Sequence, residues 1–454
     1  MASGVAGLTG LRTTLAVIMA RGLAAAGCAL VTTAAFGQTT AAALPPPPPA
    51  DNDDDPLRAG PGLPGVGGFP GRGLALGASL MSRYESNLGR TVIADAGYRL
   101  RPQVNLDYGL GMGQQGLFVS ALAARDMFYD VSTRQRNAER LRLAGGVQYR
   151  LSRCSGTAGA GWTRALALQS DATAFGGFNR TQTSFGINAS CRISGALSLQ
   201  GSVVRSSSQI ERGSSQAFNV DAWAYSAGLA FGGANLGQFS LNASQTDSQF
   251  DGRLVLTPTG FVEDSLRQRN IRFGYERPFG NRISLSAGVS YLQTDPGTDE
   301  QVVLIDNVLQ IVPRDRFSGV GYDVGLDVAL GPRMKLDVTA SRSAFANALV
   351  GAQFTIVNAY AIGFNYELTP RYSLQLGASR RNNRYRGSFV SQFDPVRRES
   401  DEFDRFFAQV RGKLGSRLNL SLDVTHNRRR SNPSILNFSS TGVGLNLSFQ
   451  LGRR

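Results

Sequence analysis

From Gly73 to its end the chain alternates apolar and polar residues with a period of two, and it contains no apolar run long enough for a membrane helix. Leu418, Leu420, Leu422 and Val424 fall on one face of an extended segment, and Asn419, Ser421, Asp423 and Thr425 on the other. The pattern recurs at Leu336, Val338 and Ala340 against Lys335, Asp337, Thr339 and Ser341. Segments 283–291, 320–330, 372–379 and 443–451 repeat it. Such a chain is made of strands with one apolar face, and each apolar face needs either a second sheet or lipid against it.

Three features favour lipid. Connections alternate between short turns, such as those at Gly280, Gly331, Pro370 and Gly415, and long polar loops such as 294–316 and 387–400. Outer-membrane barrels connect their strands in this way, with the short turns on the periplasmic side. Aromatics (Phe231, Phe279, Tyr291, Phe364, Tyr366, Tyr372 and Phe449) sit near the ends of the apolar faces, where interfacial girdles form. The polar faces carry many ions, which suits a wet lumen. Eighteen segments can be placed over the mature chain, with sixteen as the alternative. The expected fold is therefore all-β: one closed antiparallel transmembrane barrel over 72–454. Within it, 92–110 keeps one parity across Pro102 and is expected to form one long strand with the proline facing lipid. A soluble β-sandwich or a surface adhesin is the rival reading, and it requires the apolar faces to pack on each other.

Residues 1–37 read as a secretory signal, with Arg12 before an apolar stretch and Ala35, Phe36 and Gly37 as a small-residue cleavage site. Acylation at Cys28 is the alternative processing route. Cleavage after Gly37 removes Arg12 and Arg21, taking the formal net charge from +14 to +12. Residues 38–71, with Pro45 to Pro49 and Asp53 to Asp55, lack the apolar content for a core and read as a disordered periplasmic tether.

The opening strand that ends at Tyr84, followed by Glu85, Ser86 and Asn87, is similar to the aromatic-acidic-acidic-Asn sequence of a known group, with Ser86 in place of an acidic residue. Together with the strand-turn rhythm, it makes the chain resemble the Gram-negative outer-membrane β-barrel porin family associated with exopolysaccharide or capsule export. The resemblance implies residence in the outer membrane after export through the inner membrane. It also implies recognition by the barrel-assembly machinery and contact with polysaccharide-export components. The last strand departs from the family's terminal aromatic, because Phe449 is followed by five more residues.

No catalytic, metal or cofactor constellation is expected. The one histidine, His426, lies three residues from Asp423 and so on the opposite face of the same strand, which rules out a dyad within it. The glycines around Gly109 precede no helix with a Lys-Ser/Thr pair, so they form no phosphate loop. Nucleic acid is excluded by compartment. By parity the lumen receives Arg99, Arg101, Arg142, Arg150, Arg272, Lys335, Arg381, Arg405, Arg411 and Lys413, against Asp95, Asp107, Glu276, Asp323, Asp327, Asp337 and Asp423. A basic excess favours anions in a pore, and pairing that only stiffens the wall is the alternative. Arg380, Arg384, Arg428, Arg429 and Arg430 fall at the outer rim, where guanidinium groups meet lipopolysaccharide phosphate. The leading functional expectation is a pore for passive passage of small polar or anionic solutes, narrowed by inward folding of 294–316. A non-catalytic part in polysaccharide export is the second.

Cys154 and Cys191 lie at the same periplasmic end of consecutive strands and share the lipid-facing parity. Opposing them places Ala158 beside Ile187 and Ala160 beside Phe185, and brings the thiols within reach of a disulfide.

Overall fold

The computed structural model describes residues 73–452 apart from 89, 91–93, 130–137, 168–177, 211–218, 234–235, 306–307, 347–351 and 388–398. The expected signal (1–37, with Cys28) and tether (38–71) lie outside the described residues.

The first wall strands are β1 (Gly73–Glu85), β2 (Gly97–Met112), β3 (Gln115–Tyr129), β4 (Ala138–Leu151), β5 (Cys154–Ala167) and β6 (Phe178–Arg192). They continue with β7 (Leu197–Ile210), β8 (Asn219–Gly233), β9 (Gly237–Thr257), β10 (Gly260–Phe279) and β11 (Ile283–Pro296). A small hairpin, β12 (Glu300–Ile305) and β13 (Val308–Pro313), forms a two-stranded sheet of its own beside β9. The wall resumes with β14 (Phe317–Ala329), β15 (Met334–Ala346), β16 (Phe354–Thr369), β17 (Tyr372–Arg386), β18 (Ser400–Lys413), β19 (Leu418–Asn432) and β20 (Phe438–Leu451). Each wall strand pairs antiparallel with the next, and β1 pairs with β20 from Leu76↔Leu451 to Glu85↔Gly442, so the 18-stranded sheet closes on itself. Eighteen is the number that the periodicity gives, and closure leaves the wall without an unpaired edge. No helix among the described residues is long and apolar enough to cross a membrane.

Turn chemistry sets where each strand reverses. Gly113 and Gly280 take φ +63° at two of the short turns, in the left-handed region that a side chain disfavours. At the turn around Pro370, Thr369 Oγ1 accepts hydrogen bonds from the backbone N–H of Arg371 (3.2 Å) and Tyr372 (3.1 Å), which fixes the reversal into β17.

The two faces of the wall have opposite chemistry. On β10 the outward row is Ile271, Phe273, Tyr275, Arg277 and Phe279, with Ile271 55% and Phe273 54% exposed and Arg277 over the Phe279 ring at the periplasmic end, and the inward row includes Asn270, Arg272 and Glu276. On β1, Leu74, Leu76, Leu80 and Tyr84 point out, while Arg83 and Glu85 point in and are buried. Residues 271–279, at about 3.3 Å per residue and a tilt of about 40°, give an apolar band about 20 Å tall. Ionic residues begin directly above it, with Arg269 and Arg267 on β10, Asp247 on β9 and Asp295 on β11.

Two expectations need correction. The 92–110 segment is not one strand: pairing begins at Gly97, because Leu88 N–H donates to the Asp95 carbonyl (2.8 Å) and holds 94–96 in the connection from β1. Asp95 is therefore not part of the lumenal ladder. β2 does run past Pro102, on the outward row with Val104 and Leu106. The second correction concerns 294–316, whose apolar runs form β12 and β13. Val308, Leu309 and Ile311 there are more than half exposed, so these apolar side chains form no plug core, while Arg314 at the end of the same segment is buried at the mouth.

Candidate functional site

The barrel interior is the site, and the ladder registers place its side chains. Arg99, Arg101, Asp107, Arg142, Arg150, Arg272, Glu276, Asp323, Asp327, Lys335, Asp337, Arg381, Arg405, Arg411, Lys413 and Asp423 all lie on inward rows. The same rows hold Arg83, Glu85, Asp126, Arg140 and Asp401, which composition did not single out but the period of two assigns once the strand limits are known.

Many of these charges are paired along the wall. Arg83 donates from Nε to Glu85 (2.8 Å), from Nη1 to Asp423 (2.7 Å) and from Nη2 to Thr425. Asp126, almost wholly buried, accepts from Arg101 Nε (2.6 Å) and Arg140 Nε (2.7 Å). Arg272 grips Asp323 bidentately, Nε to Oδ1 at 2.7 Å and Nη2 to Oδ2 at 2.5 Å. Arg381 and Arg405 lie over the rings of Phe403 and Phe407 at 5.5 and 5.8 Å from the centroids. Arg142 has no ion pair among the described residues, its Nε is buried without a hydrogen-bond partner, and the acid that acts on it is Asp107.

Three of these cross-wall contacts pass over a glycine on the strand between the partners. Arg83 and Asp423 both stand opposite Gly444 of β20, where an added Cβ would lie 2.5 Å from Asp423 Oδ1. Arg272 and Asp323 meet over Gly288 of β11, where a Cβ would lie 2.5 Å from Arg272 Nη2 and 2.6 Å from Asp323 Oδ1. Gln200 Nε2 reaches Asn242 Oδ1 (2.7 Å) across Gly228 of β8 in the same way.

The lining is two-sided. The inward rows of β17, β18, β19, β1, β2 and β4 carry Arg381, Arg405, Arg429, Arg83, Arg99, Arg101, Arg140 and Arg142. The inward rows of β7 and β8, and that of β9 through Phe250, carry no charge; they offer Gln200, Ser202, Ser206, Ser226, Ser240, Asn242, Ser244 and Thr246. A guanidinium wall thus faces a hydroxyl and amide wall.

The outer mouth is narrowed by an element that parity does not reveal. β15 and β14 stop pairing above Tyr322↔Arg342, whereas β15 continues with β16 to Ala346↔Phe354. The freed hairpin end leans onto β10 and β11, and Ala346, Phe354 and Ile356 pack with Val220, Phe250 and Leu266 from the inward rows of β8, β9 and β10. A β-bulge beside it, with Gly252 at φ +77°, shifts the β9–β10 register at Glu263 and Asp264. There Asp264 Oδ2 accepts from Arg253 Nε (2.6 Å) and Asp264 Oδ1 from Arg314 Nη2 (2.7 Å), all three side chains at 1–2% exposure. Arg253 also donates to the Ala352 carbonyl (3.4 Å) and stacks on Phe250, and Arg314 donates to the amide oxygen of the fully buried Gln353. This network stands above the apolar band. Burial pushes the Arg253 guanidinium down to about 10, with Asp264 pulling the other way, so Arg253 is charged at neutral pH.

At the outward rim, Arg380 pairs with Asp404 and Glu402, Arg430 pairs with the same two acids, and Arg384 and Arg428 lie on the same face. Arg429 does not: it points inward, is 3% exposed and binds Asp401, which Tyr385 Oη also reaches (2.6 Å). Its assignment to the rim is corrected because alternate residues of a strand face opposite sides. His426 points outward, its Nδ1 2.9 Å from Thr441 Oγ1. Cys154 stands opposite Cys191 in the ladder and the two are joined by a disulfide, with Ala158 opposite Ile187 and Ala160 opposite Phe185. Among the described residues, no group of three His, Cys, Asp or Glu side chains is placed to hold a metal ion.

No protein-family model matches the chain, and no curated protein matches it. Among solved structures, the chain is similar to Pseudomonas aeruginosa OccK2 (OpdF), solved in complex with glucuronate, at 11% identity and a TM-score of 0.45 over 84% of this chain and 97% of that one. It is similar to a BenF-like porin from Pseudomonas fluorescens Pf-5 at 12% identity and a TM-score of 0.45, over 85% and 100%. The siderophore receptor PirA from Pseudomonas aeruginosa matches at 9% identity and a TM-score of 0.43, over 85% and 81%.

Proposed function

We propose that the chain is a barrel of the Gram-negative outer membrane that lets small polar solutes pass passively, with anions favoured. One observation carries this reading: the wall is inverted relative to a soluble protein, with half-exposed Leu, Ile, Val and Phe outside and ion-paired arginines and carboxylates inside. The outer surface matches a hydrocarbon layer in chemistry and is close to one in height. Within the lumen, the excess of guanidinium over carboxylate on the β17–β4 side gives an anion a favourable potential, and the serine and asparagine groups of β7–β9 replace water on its other side.

The β15–β16 end narrows the outer mouth, so the channel is smaller than an unobstructed barrel of this strand number. Planar-bilayer recording of the purified protein tests the proposal. Discrete conductance steps with a reversal potential shifted toward the anion are expected in a salt gradient. A bilayer that receives the folded protein and shows no steps overturns it.

A further inference from the structure

Two ionic clusters stand on the outward face just above the apolar band, and they differ in balance. On β7–β11 each arginine has its own aspartate: Arg205 with Asp221 (2.7 Å), Arg267 with Asp247 (2.7 Å) and Arg269 with Asp295 (3.8 Å). On β17–β19 four arginines, Arg380, Arg384, Arg428 and Arg430, stand with only two acids, Glu402 and Asp404, which pair with Arg380 and Arg430. Ladder registers place Arg380, Asp404 and Arg428 in one row, with Glu402 opposite Arg430 and Arg384 opposite Ser400 in the rows above. Arg384 and Arg428 are exposed and make no ion pair among the described residues. The row directly below holds Ala378, Phe406 and His426, with Val424 of the lipid-facing surface one row further down and Phe406 55% exposed.

From this arrangement we infer that the β17–β19 patch binds a phosphate group of lipopolysaccharide in the surrounding outer leaflet. The inference rests on the outer-membrane reading above. Glu402 and Asp404 take up one side of Arg380 and Arg430 and hold them in place, as carboxylates do with a planar guanidinium. Arg384 and Arg428, two strands and two same-face rows apart, are each left to offer a guanidinium fork to phosphate oxygens at opposite corners of the patch. Height selects the partner: the patch opens sideways at the level where acyl chains end, so the phosphate it meets is covalently attached to a lipid whose tails lie on Phe406 and Val424. The β7–β11 cluster also borders the apolar band but is neutral, and it provides the internal control.

The test uses the folded full-length protein, with folding checked by heat-modifiable migration in detergent gels. Native mass spectrometry in detergent titrates it with bisphosphorylated lipid A, the dephosphorylated form of that lipid and inorganic phosphate. The wild type is expected to bind the bisphosphorylated lipid, and Arg384→Gln/Arg428→Gln to bind it about tenfold more weakly. Arg384→Lys/Arg428→Lys, which keeps the charge and loses the planar fork, should fall between them. Arg205→Gln/Arg267→Gln on the neutral cluster should bind as the wild type does. Equal binding by the wild type and the 384/428 glutamine variant, or an equal loss in the control, overturns the site. Equal affinity for inorganic phosphate overturns the lipid as partner. Insertion of each variant into phosphatidylcholine vesicles keeps the two readings apart: a protein that inserts but does not distinguish the lipids refutes this inference alone, and one that never inserts refutes the membrane reading.

Discussion

Replacing Asp264 by asparagine keeps the shape of the side chain and removes the one negative charge between Arg253 and Arg314. Each of its two ion contacts is 2.6–2.7 Å long, and a pair of unit charges at that separation attracts by about 6 kcal/mol at an effective dielectric constant of about 20. Much of that attraction is offset by the desolvation of all three groups, which are 1–2% exposed. What remains after one partner is removed is the cost of leaving two buried cations uncompensated, about 3 to 5 kcal/mol. The network joins the β9–β10 hairpin, the β11–β14 connection and, through Ala352 and Gln353, the end of β15–β16. The loss should therefore be local. Amide hydrogen exchange around Arg253, Asp264 and 352–356 should speed up by about two to three orders of magnitude, with the membrane-embedded strands unchanged. Single-channel conductance should rise as the mouth loosens. A triple variant, Arg253→Met, Asp264→Leu and Arg314→Met, should exchange as the wild type does, because apolar groups of similar volume can replace a buried ion set without loss. Wild-type exchange in Asp264→Asn would refute the reasoning, and loosening of the apolar triple as large as that of Asp264→Asn would show that packing, not charge, holds the mouth.

Further outcomes follow from the wall. Val289→Arg, in the middle of the outward apolar row of β11, should cost about 2 to 4 kcal/mol in the folding equilibrium of the bilayer-inserted barrel. Arginine at Ser284, on the inward row of the same strand, should cost less and shift the reversal potential further toward anions; equal costs would remove the assigned sidedness. Neutralising Arg142 and Arg405 together to glutamine should lower anion preference in the same measurement, and an unchanged reversal potential would count against the guanidinium wall. The disulfide closes a segment of 37 residues, so Cys154→Ser/Cys191→Ser should lower stability by about 3 to 4 kcal/mol in denaturant titration. Alkylation of the unreduced, denatured wild type should label neither cysteine.

Regions where backbone pairing follows a single period could be read from sequence alone, and departures from that period could not. Leu418 to Val424 read directly as an outward row, because each position alternates and the turn at Gly415 fixes the start. The pairing of Cys154 with Cys191 followed from the same count applied to two neighbouring strands. By its charge the run Arg428, Arg429 and Arg430 reads as one block, although the period of two that holds there places the middle residue inside. Ala346, Phe354 and Ile356 have outward parity yet are almost fully buried, because β15 parts from β14 above Arg342, and separation of one strand from its neighbour leaves no mark on alternation. The Arg253–Asp264–Arg314 set depends on a register shift and on residues from two separate connections. No local pattern brings these three together.

The glycines beneath the lumenal contacts make the charge pattern of the wall depend on the order in which substitutions arrive. At Gly288 any side chain would collide with the Arg272–Asp323 pair, and at Gly444 with Asp423. A lineage that first loses Arg272 or Asp323 opens position 288 to alanine or serine. Once a side chain is there, the same pair can re-form only by moving its charged ends aside. The loss of a lumenal ion pair is thus easily made permanent by a change on the strand between the partners, and Gly228 sets the same condition on the uncharged Gln200–Asn242 contact. Among descendants of this chain, these three positions should change only after the side chains that pass over them, whereas the outward residues beside them are free to vary in any order.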